Sequence, residues 1–401
     1  MLVALLSATL LAVTGDPEPG PWRAWLDSPG GELPFRLILE REGGTWRGAL
    51  GLNGEDPVGS IALANDELVL RFDPFDSEIR ARVADEHGRR LEGEWTLVRA
   101  GGRVARMPFH AVRQDTGGLF RPSMTAVQPI DVSGRWAVRF SESEDLAVGL
   151  FDTPAGAAAT GTFLTTTGDY RYLAGDARGE LRLACFDGAH AFLFRAQKLA
   201  DGTLAGDFWS RDSWHETWTA TLDPKIELPD AFELTRWNQE VDLAALRYPD
   251  VDGTVRALDD PSFAGKARLV VVFGTWCPNC NDEARLLAEL DATYRSRGLA
   301  ILGLAFEHEE DHAYAAGRVR AYAERHGLTF PILIAGTSDK AAASEAFPLV
   351  DRVRSFPTTL FLDAGNRVRA VHSGFSGPAT GKAHEALREA FERRIVDLLS
   401  E

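Results

Sequence analysis

Apolar and polar residues alternate along the first half of the chain and gather into unbroken apolar blocks in the second. From Trp22 to Arg113, runs such as Phe35-Arg-Leu-Ile-Leu39, Leu68-Val-Leu-Arg-Phe72 and Ile79-Arg-Ala-Arg-Val83 place an apolar side chain at nearly every second position, and Gly, Asp and Asn separate them. A period of two puts alternate side chains on opposite faces of a strand, and closely spaced turn residues make successive strands antiparallel neighbours. A second block of the same character runs from about Asp131 to Asp223. No long helical pattern interrupts either one.

The two blocks read as copies of one unit. Leu68-Val-Leu-Arg-Phe-Asp73 resembles Leu181-Arg-Leu-Ala-Cys-Phe-Asp187, Leu91-Glu-Gly-Glu-Trp95 resembles Leu204-Ala-Gly-Asp-Phe208, and Gly48-Ala-Leu50 matches Gly161-Thr-Phe163 at nearly the same offset. A constant separation points to duplication. The expected order is therefore an all-β barrel or sandwich over 20–113, a connector with Gly117, Gly118, Pro122 and Pro129, and a second such repeat over 131–223. The tryptophans concentrated here suit the filling of small β cores, with an aromatic ligand cradle as the alternative. His190 and His215 read as hydrogen-bonded structural residues. Cys185 reads as a packing residue, with a disulfide to another chain as its functional alternative.

The pattern changes after a linker over 224–246, in which Trp237, Leu243 and Leu246 imply packing against a neighbour. Over 247–401, apolar runs alternate with helical periodicity, the mark of an α/β unit. Tyr248-Pro-Asp-Val-Asp-Gly-Thr-Val255 reads as a hairpin turning at Asp252-Gly253. Leu269 to Phe273 suits a strand buried on both faces, ended by Gly274 and Thr275. Leu286, Leu287 and Leu290 then share one face of a helix. Further strands are expected at 299–306, 330–334, 358–362 and 367–372, and further helices at 313–326, 339–347 and 382–399.

Cys277 falls at the junction of that first strand and helix, and Pro278 stands where a first-turn proline is tolerated. Unpaired N–H groups and the positive end of the helix dipole favour a thiolate there, so Cys277 is the expected nucleophile. Cys280, one turn on, can resolve a mixed disulfide held on Cys277. The same C-x-x-C spacing also serves half of a zinc site. With three cysteines in the chain and no histidine at the usual downstream spacing, the redox reading stands: no metal, and no cofactor beyond the Cys277/Cys280 pair.

Trp276-Cys277-Pro278-Asn279-Cys280 after a buried strand, followed by Ser355-Phe356-Pro357-Thr358-Thr359-Leu360-Phe361-Leu362-Asp363, resembles the thioredoxin fold and, within it, the TlpA-like thiol-disulfide oxidoreductases. The resemblance covers roughly Arg247 to the C-terminus. It implies a C-terminal α/β thioredoxin fold with Pro357 as a cis-proline facing the sulfurs, and Trp276, Pro278 and Phe356 bordering the substrate groove. It also implies Glu283 in proton transfer near Cys280, protein disulfides as clients and a membrane electron donor. Val271 stands where general cytosolic thioredoxins carry a buried aspartate, which favours the TlpA-like branch. Reduction is the more frequent direction in that group.

Composition narrows the alternatives. A net charge of -16 argues against nucleic acid, whose phosphates would be repelled. Leu2 to Val13 is an apolar run of signal-peptide length, so a leader over 1–15 and export, to the periplasm or otherwise, are expected, with an N-terminal anchor as the alternative. A peroxiredoxin would need proline where Val270 stands and threonine or serine where Gly274 stands. A third reading makes the β repeats a binding module that recruits one redox client. His308-Glu-Glu-Asp-His312 matches the zinc-protease pattern in form, but it leaves a strand and is acidic throughout, as a helix start would be. Gly374 to Lys382 fails the spacing of a phosphate loop, and Thr380 there is expected to cap the last helix.

Overall fold

The computed structural model describes residues 15–51, 56–114, 117–121, 128–154 and 158–400. The expected leader lies outside the described residues but for Gly15, as does Pro122 of the connector. Among the described residues, no helix is long and apolar enough to cross a membrane.

The second β repeat is a closed antiparallel barrel of eight strands. In chain order these are Gly134–Phe140, Leu146–Asp152, Ala158–Thr165, Leu173–Arg178, Glu180–Phe186, Ala191–Lys198, Leu204–Ser210 and Trp214–Leu222, each paired with the next. The last returns to the first, with Trp136 opposite Leu222 and Phe140 opposite Trp218. Eight strands leave an interior just wide enough for side chains to fill. Here the filling is aromatic: Phe194 stacks on Phe208 at 4.2 Å between ring centres and on Phe163 at 4.6 Å, while Trp218 meets Phe163 edge-on at 5.4 Å.

The first repeat follows the same path. Its first strand, Gly20–Ser28, pairs with both Gly31–Glu42 and the last strand, Arg103–Arg113. At the opposite side the Val58 N–H donates to the Gly48 carbonyl at 2.9 Å and the Gly59 N–H to the Arg71 carbonyl at 2.9 Å, so the chain itself stitches the two sheet edges together. The copies agree in small detail. Gly20 and Gly134 both adopt φ +125°, and two residues later the Trp22 and Trp136 indoles donate to carbonyls four residues back, those of Glu18 (3.1 Å) and Val132 (2.9 Å). Gly93 and Gly206 also correspond. A Cβ at either would lie 1.9 Å from a neighbouring-strand carbonyl, that of Arg80 or of Arg195. Five of the tryptophans, Trp22, Trp46, Trp95, Trp136 and Trp218, are buried in these cores, whereas Trp214 is half exposed.

The C-terminal region carries a thioredoxin-like fold. Its sheet runs in the order Ile332–Thr337, Leu299–Glu307, Ala267–Phe273, Thr358–Leu362, Val368–Ser373, the first three strands parallel and the last two antiparallel. Helices α1 (Pro278–Tyr294), α2 (His312–His326), α3 (Lys340–Ala346) and α4 (Lys382–Ser400) surround it. Asp311 and Asp339 cap α2 and α3, and Gly327 ends α2 at φ +64°. Thr380 does not cap α4 as expected; its hydroxyl donates to the Gly377 carbonyl at 2.7 Å within a short 3-10 turn. Residues 231–246 lie on this sheet. The Asn238 N–H donates to the Leu349 carbonyl at 2.8 Å, and the Phe232 ring packs against Phe361, His372 and Phe391.

Both barrels dock on the thioredoxin-like unit. From the first, the Asp76 carboxylate accepts from the Tyr314 hydroxyl at 2.5 Å and from the Arg318 guanidinium at 2.6 Å. From the second, the buried Arg171 lies between Asp187 of its own barrel, at 3.3 Å, and Asp282 of α1. Asp169 accepts from the Gly377 N–H at 2.6 Å.

The closeness of the Gly206 strand to its neighbour yields a test. Gly206→Ala should force the two strands apart and lower stability by roughly 1–3 kcal/mol, as over-packing does. Urea unfolding of the full chain measures this, and an unchanged midpoint would contradict the packing described.

Candidate active site

The strand Ala267–Phe273 is buried at every position and apolar but for Arg268, so it runs through the centre of the domain and delivers its C-terminal end to the sheet edge where α1 begins. Cys277 is the N-cap of α1, with an extended backbone (φ -91°, ψ 118°) and Pro278 directly after it. Its sulfur accepts from the Cys280 N–H at 3.4 Å, satisfying one of the N–H groups that a helix start leaves open. The Cys277 thiol reaches the Phe356 carbonyl at 3.3 Å, and the Phe356–Pro357 peptide is cis. Both cysteines are buried free thiols.

The loop before the cysteine is fastened from below. Trp276 donates its indole N–H to the Phe306 carbonyl at 2.9 Å, stacks on His308 at 4.7 Å and meets Phe356 edge-on at 5.5 Å. Glu307, fully buried, accepts from the Thr275 N–H at 3.0 Å and from the Thr275 hydroxyl at 2.7 Å. Asn281 donates to the carbonyls of Thr275 (3.0 Å) and Cys277 (2.9 Å). The structure thus brings Cys277, Cys280, Trp276, Pro278, Phe356 and Pro357 around one point, with Glu283 one turn below.

Glu283 is 1 % exposed. One of its carboxylate oxygens accepts from the Thr359 hydroxyl at 2.7 Å, and the other has no hydrogen-bond partner. Burial pushes its pKa up to about 8, only partly opposed by the Thr359 hydrogen bond. Burial pushes the Cys280 thiol up as well, reinforced by Cys277 and Glu283. Above them the Tyr322 hydroxyl donates to the Cys280 carbonyl at 2.7 Å. Burial raises Glu307 to about 7, and it lowers His308 to about 4. Glu307, Tyr322 and Asn281 escape a reading of the sequence. Glu283 carries a visible signal, for it precedes Leu286, Leu287 and Leu290 at helical spacing and so shares their buried face.

The other marked residues lie apart from the sulfurs. His308 hydrogen-bonds Ser338 at 2.9 Å and His312 the Asp250 carbonyl at 2.9 Å, so the two turn to different partners. His190 pairs with Asp187 (3.0 Å) and His215 with Asp207 (2.8 Å). Cys185 is buried in the second barrel.

Fold and site together define a class: a thioredoxin-like domain with a dithiol at the head of its first helix, set against a cis-proline. Residues 231–371 match the AhpC/TSA family. The chain is similar to the thioredoxin-like protein YneN of Bacillus subtilis (strain 168), at 33% identity over 110 residues, which are 27% of this chain and 58% of that protein. It is also similar to the thiol-disulfide oxidoreductase ResA of Geobacillus thermodenitrificans (strain NG80-2), at 30% identity over 125 residues, 31% of this chain and 63% of ResA. The chain therefore spans less than two thirds of the length of these relatives. Among solved structures, a putative thiol:disulfide interchange protein DsbE from Chlorobium tepidum aligns at 17% identity with a TM-score of 0.31, over 41% of this chain and 97% of that one.

The raised Glu283 sets a pH dependence. Its carboxyl moves from about 4.5 to about 8 on folding, so between those values the folded chain holds a proton that the unfolded chain has released. Stability from this group is thus lost as pH rises across that window. Glu283→Gln should be more stable than the wild type by a margin that grows from about pH 5, reaches roughly a few kcal/mol and levels off above pH 8. Denaturant unfolding of both proteins at stepped pH reads the margin, and parallel curves would rule it out.

Proposed function

We propose that this protein is an exported thiol-disulfide oxidoreductase that reduces protein disulfides. The observation that carries the reading is the position of Cys277: at the N-cap of α1, one turn from Cys280, and against the Phe356 carbonyl beside cis-Pro357. Extended substrate backbone can lie along Phe356 and Pro357, with Trp276 and Pro278 as the walls of the groove. The Cys277 thiolate attacks one sulfur of the client disulfide; a Cys277–client bond forms, the client S–S bond breaks, and the other client sulfur leaves as a thiolate. Glu283 in its ionised form, whose share grows as pH rises towards 8, takes the Cys280 proton. The Cys280 thiolate then attacks the Cys277 sulfur, forming the Cys277–Cys280 disulfide and releasing the second client thiolate. Two electrons pass to the client in this cycle. A membrane electron donor outside the chain returns them.

Tight coupling of the barrels to the dithiol supports a second role for the repeats as the part that selects the client: Asp282, two residues after Cys280, is paired with Arg171 of the second barrel. A peroxidase acting through Cys277 alone is disfavoured by Val270 and Gly274.

Trapping distinguishes these readings. Cys280→Ser should accumulate mixed disulfides with a protein substrate such as oxidised insulin, whereas Cys277→Ser should form none and lose at least about a hundredfold in reduction rate. Non-reducing gels and turbidity assays read both. Peroxide turnover that survives Cys280→Ser without any trapped client would replace the reductase reading with the peroxidase one.

A further inference from the structure

The mouth of the second barrel opens towards the dithiol, and its lining sets the guanidinium groups of Arg99 and Arg211 among the carboxylates of Glu142, Asp145, Asp169 and Glu216. A cavity of about 550 Å³ lies there, bounded by the barrel's aromatic end (Phe192, Phe208), by the loop around Thr166, by Arg99 of the first barrel, by Arg211 of the second, and by Asn279 from between the two active-site cysteines. A volume of this order is typical of small-ligand sites, and barrel mouths are frequent places for them. The dithiol loop fits tightly against this barrel: a Cβ at Gly168 would fall 1.9 Å from the Asn279 amide nitrogen. The Asn279 side-chain oxygen is buried without a hydrogen-bond partner.

Two guanidinium groups converge on this cavity. Among the described residues neither Arg99 nor Arg211 forms an ion pair, whereas Arg171 and Arg318 at the domain junctions do, and Asp187 and Asp212 act on Arg211 only from further off. The Arg211 Nε donates to the Ala189 carbonyl at 3.4 Å, and its backbone is held at φ +60°, a conformation that side-chain-bearing residues adopt at a cost. Burial, and then repulsion from Arg99, lower its pKa to about 10, so it stays charged at neutral pH. Three of the four carboxylates on the same cavity have hydrogen-bond partners of their own. Asp169 accepts from Arg171 and Gly377 N–H groups, Asp145 from the Thr166 hydroxyl, and Glu216 from the Trp214 indole and the Glu142 N–H. Glu142 itself is exposed to solvent. Burial does most to lower the His308 pKa, Asp76 opposes it, and Arg318, then Arg99 and Arg211, add to it; His308 stacks on Trp276 beside Cys277.

We propose that this cavity is a substrate subsite that binds a carboxylate flanking the client's disulfide, with Arg99 and Arg211 as its anion-binding pair. This rests on the disulfide-exchange reading and adds the substrate class: disulfides with acidic neighbours. The carboxylate neutralises the two like charges that now repel each other across the cavity, and it places the adjoining cystine towards Asn279, the residue of the dithiol loop that borders the opening. The same chemistry could be supplied by an acidic segment of a protein or by a small acidic disulfide.

The test compares three disulfides on the full-length reduced chain: a peptide disulfide flanked by Asp and Glu, its Asn and Gln counterpart, and glutathione disulfide. The acidic peptide should be reduced with kcat/KM at least about tenfold above its neutral counterpart, and the margin should shrink as ionic strength rises. Arg99→Gln with Arg211→Gln should bring the ratio near one, and Arg211→Lys should restore part of it. Glutathione disulfide sharing the preference identifies a small ligand as sufficient; preference for the peptide alone identifies a protein segment. A separate binding arm uses the same peptides with serine in place of cysteine, followed by tryptophan fluorescence, since Trp214 borders the cavity. Equal affinity for acidic and neutral peptides, or a preference untouched by the double substitution, overturns the subsite. If the chain exchanges no disulfide at all, the function proposed above fails, and the binding arm still decides the subsite on its own.

Discussion

The constraint on which the arrangement depends is a single buried cation. Arg171 leaves a barrel loop and lies between Asp187 and Asp282, all three nearly without solvent. Burial disfavours the Asp187 carboxylate, and His190 together with Arg171 more than offset that, leaving its pKa below the ordinary carboxylate value. Charges taken out of water persist only when paired and hydrogen-bonded, so α1 could not present Asp282 to this junction without Arg171 of the barrel. One ion triad thereby fixes which side of the dithiol faces the barrel mouth. Asp76, with its hold on Tyr314 and Arg318, fixes the first barrel in turn.

Backbone conformation tells the same story. Asp76, Arg171 and Arg211 all adopt positive φ, between +50° and +61°, and all three stand at contacts between units or at the cavity they enclose. Residues with side chains are disfavoured there, so the surroundings must hold them in place. Buried acids add to the cost. Glu283 and Glu307 lie beneath the dithiol loop with little compensation, one on the Cys280 side and one under Thr275. Local stability is given up around the sulfurs, and the apolar strand beneath them supplies the rigidity that allows it.

Much of this was legible in the chain, for reasons that differ from part to part. The strand before Cys277 is apolar from Leu269 to Phe273, so the burial of that run on both faces followed from composition alone. The copy relation between the repeats could be read because small residues are forced where strands approach closely: Gly93 and Gly206 occupy the same place and meet the same obstacle. Closure into barrels could not be read, because alternation marks a strand and says nothing about which distant strand it joins. The ion triad was hidden for a similar reason. Arg171 and Asp282 are 111 positions apart, and each looks like an ordinary surface charge in its own segment. Arg99 and Arg211 drew no notice either, since what marks them is that, among the described residues, they form no ion pair while Arg171 and Arg318 do.

Closure of the second barrel has a consequence for how the molecule is assembled. Its first strand, Gly134–Phe140, finds its second neighbour only in Trp214–Leu222, at the far end of the repeat. Every intermediate length is an open sheet with two unsatisfied edges, and pairing of such distant segments is slow because the loop between them must be closed first. Burial of Asp282 needs Arg171 opposite it, so the surroundings of the dithiol are complete only when the closed barrel and the thioredoxin-like unit have docked.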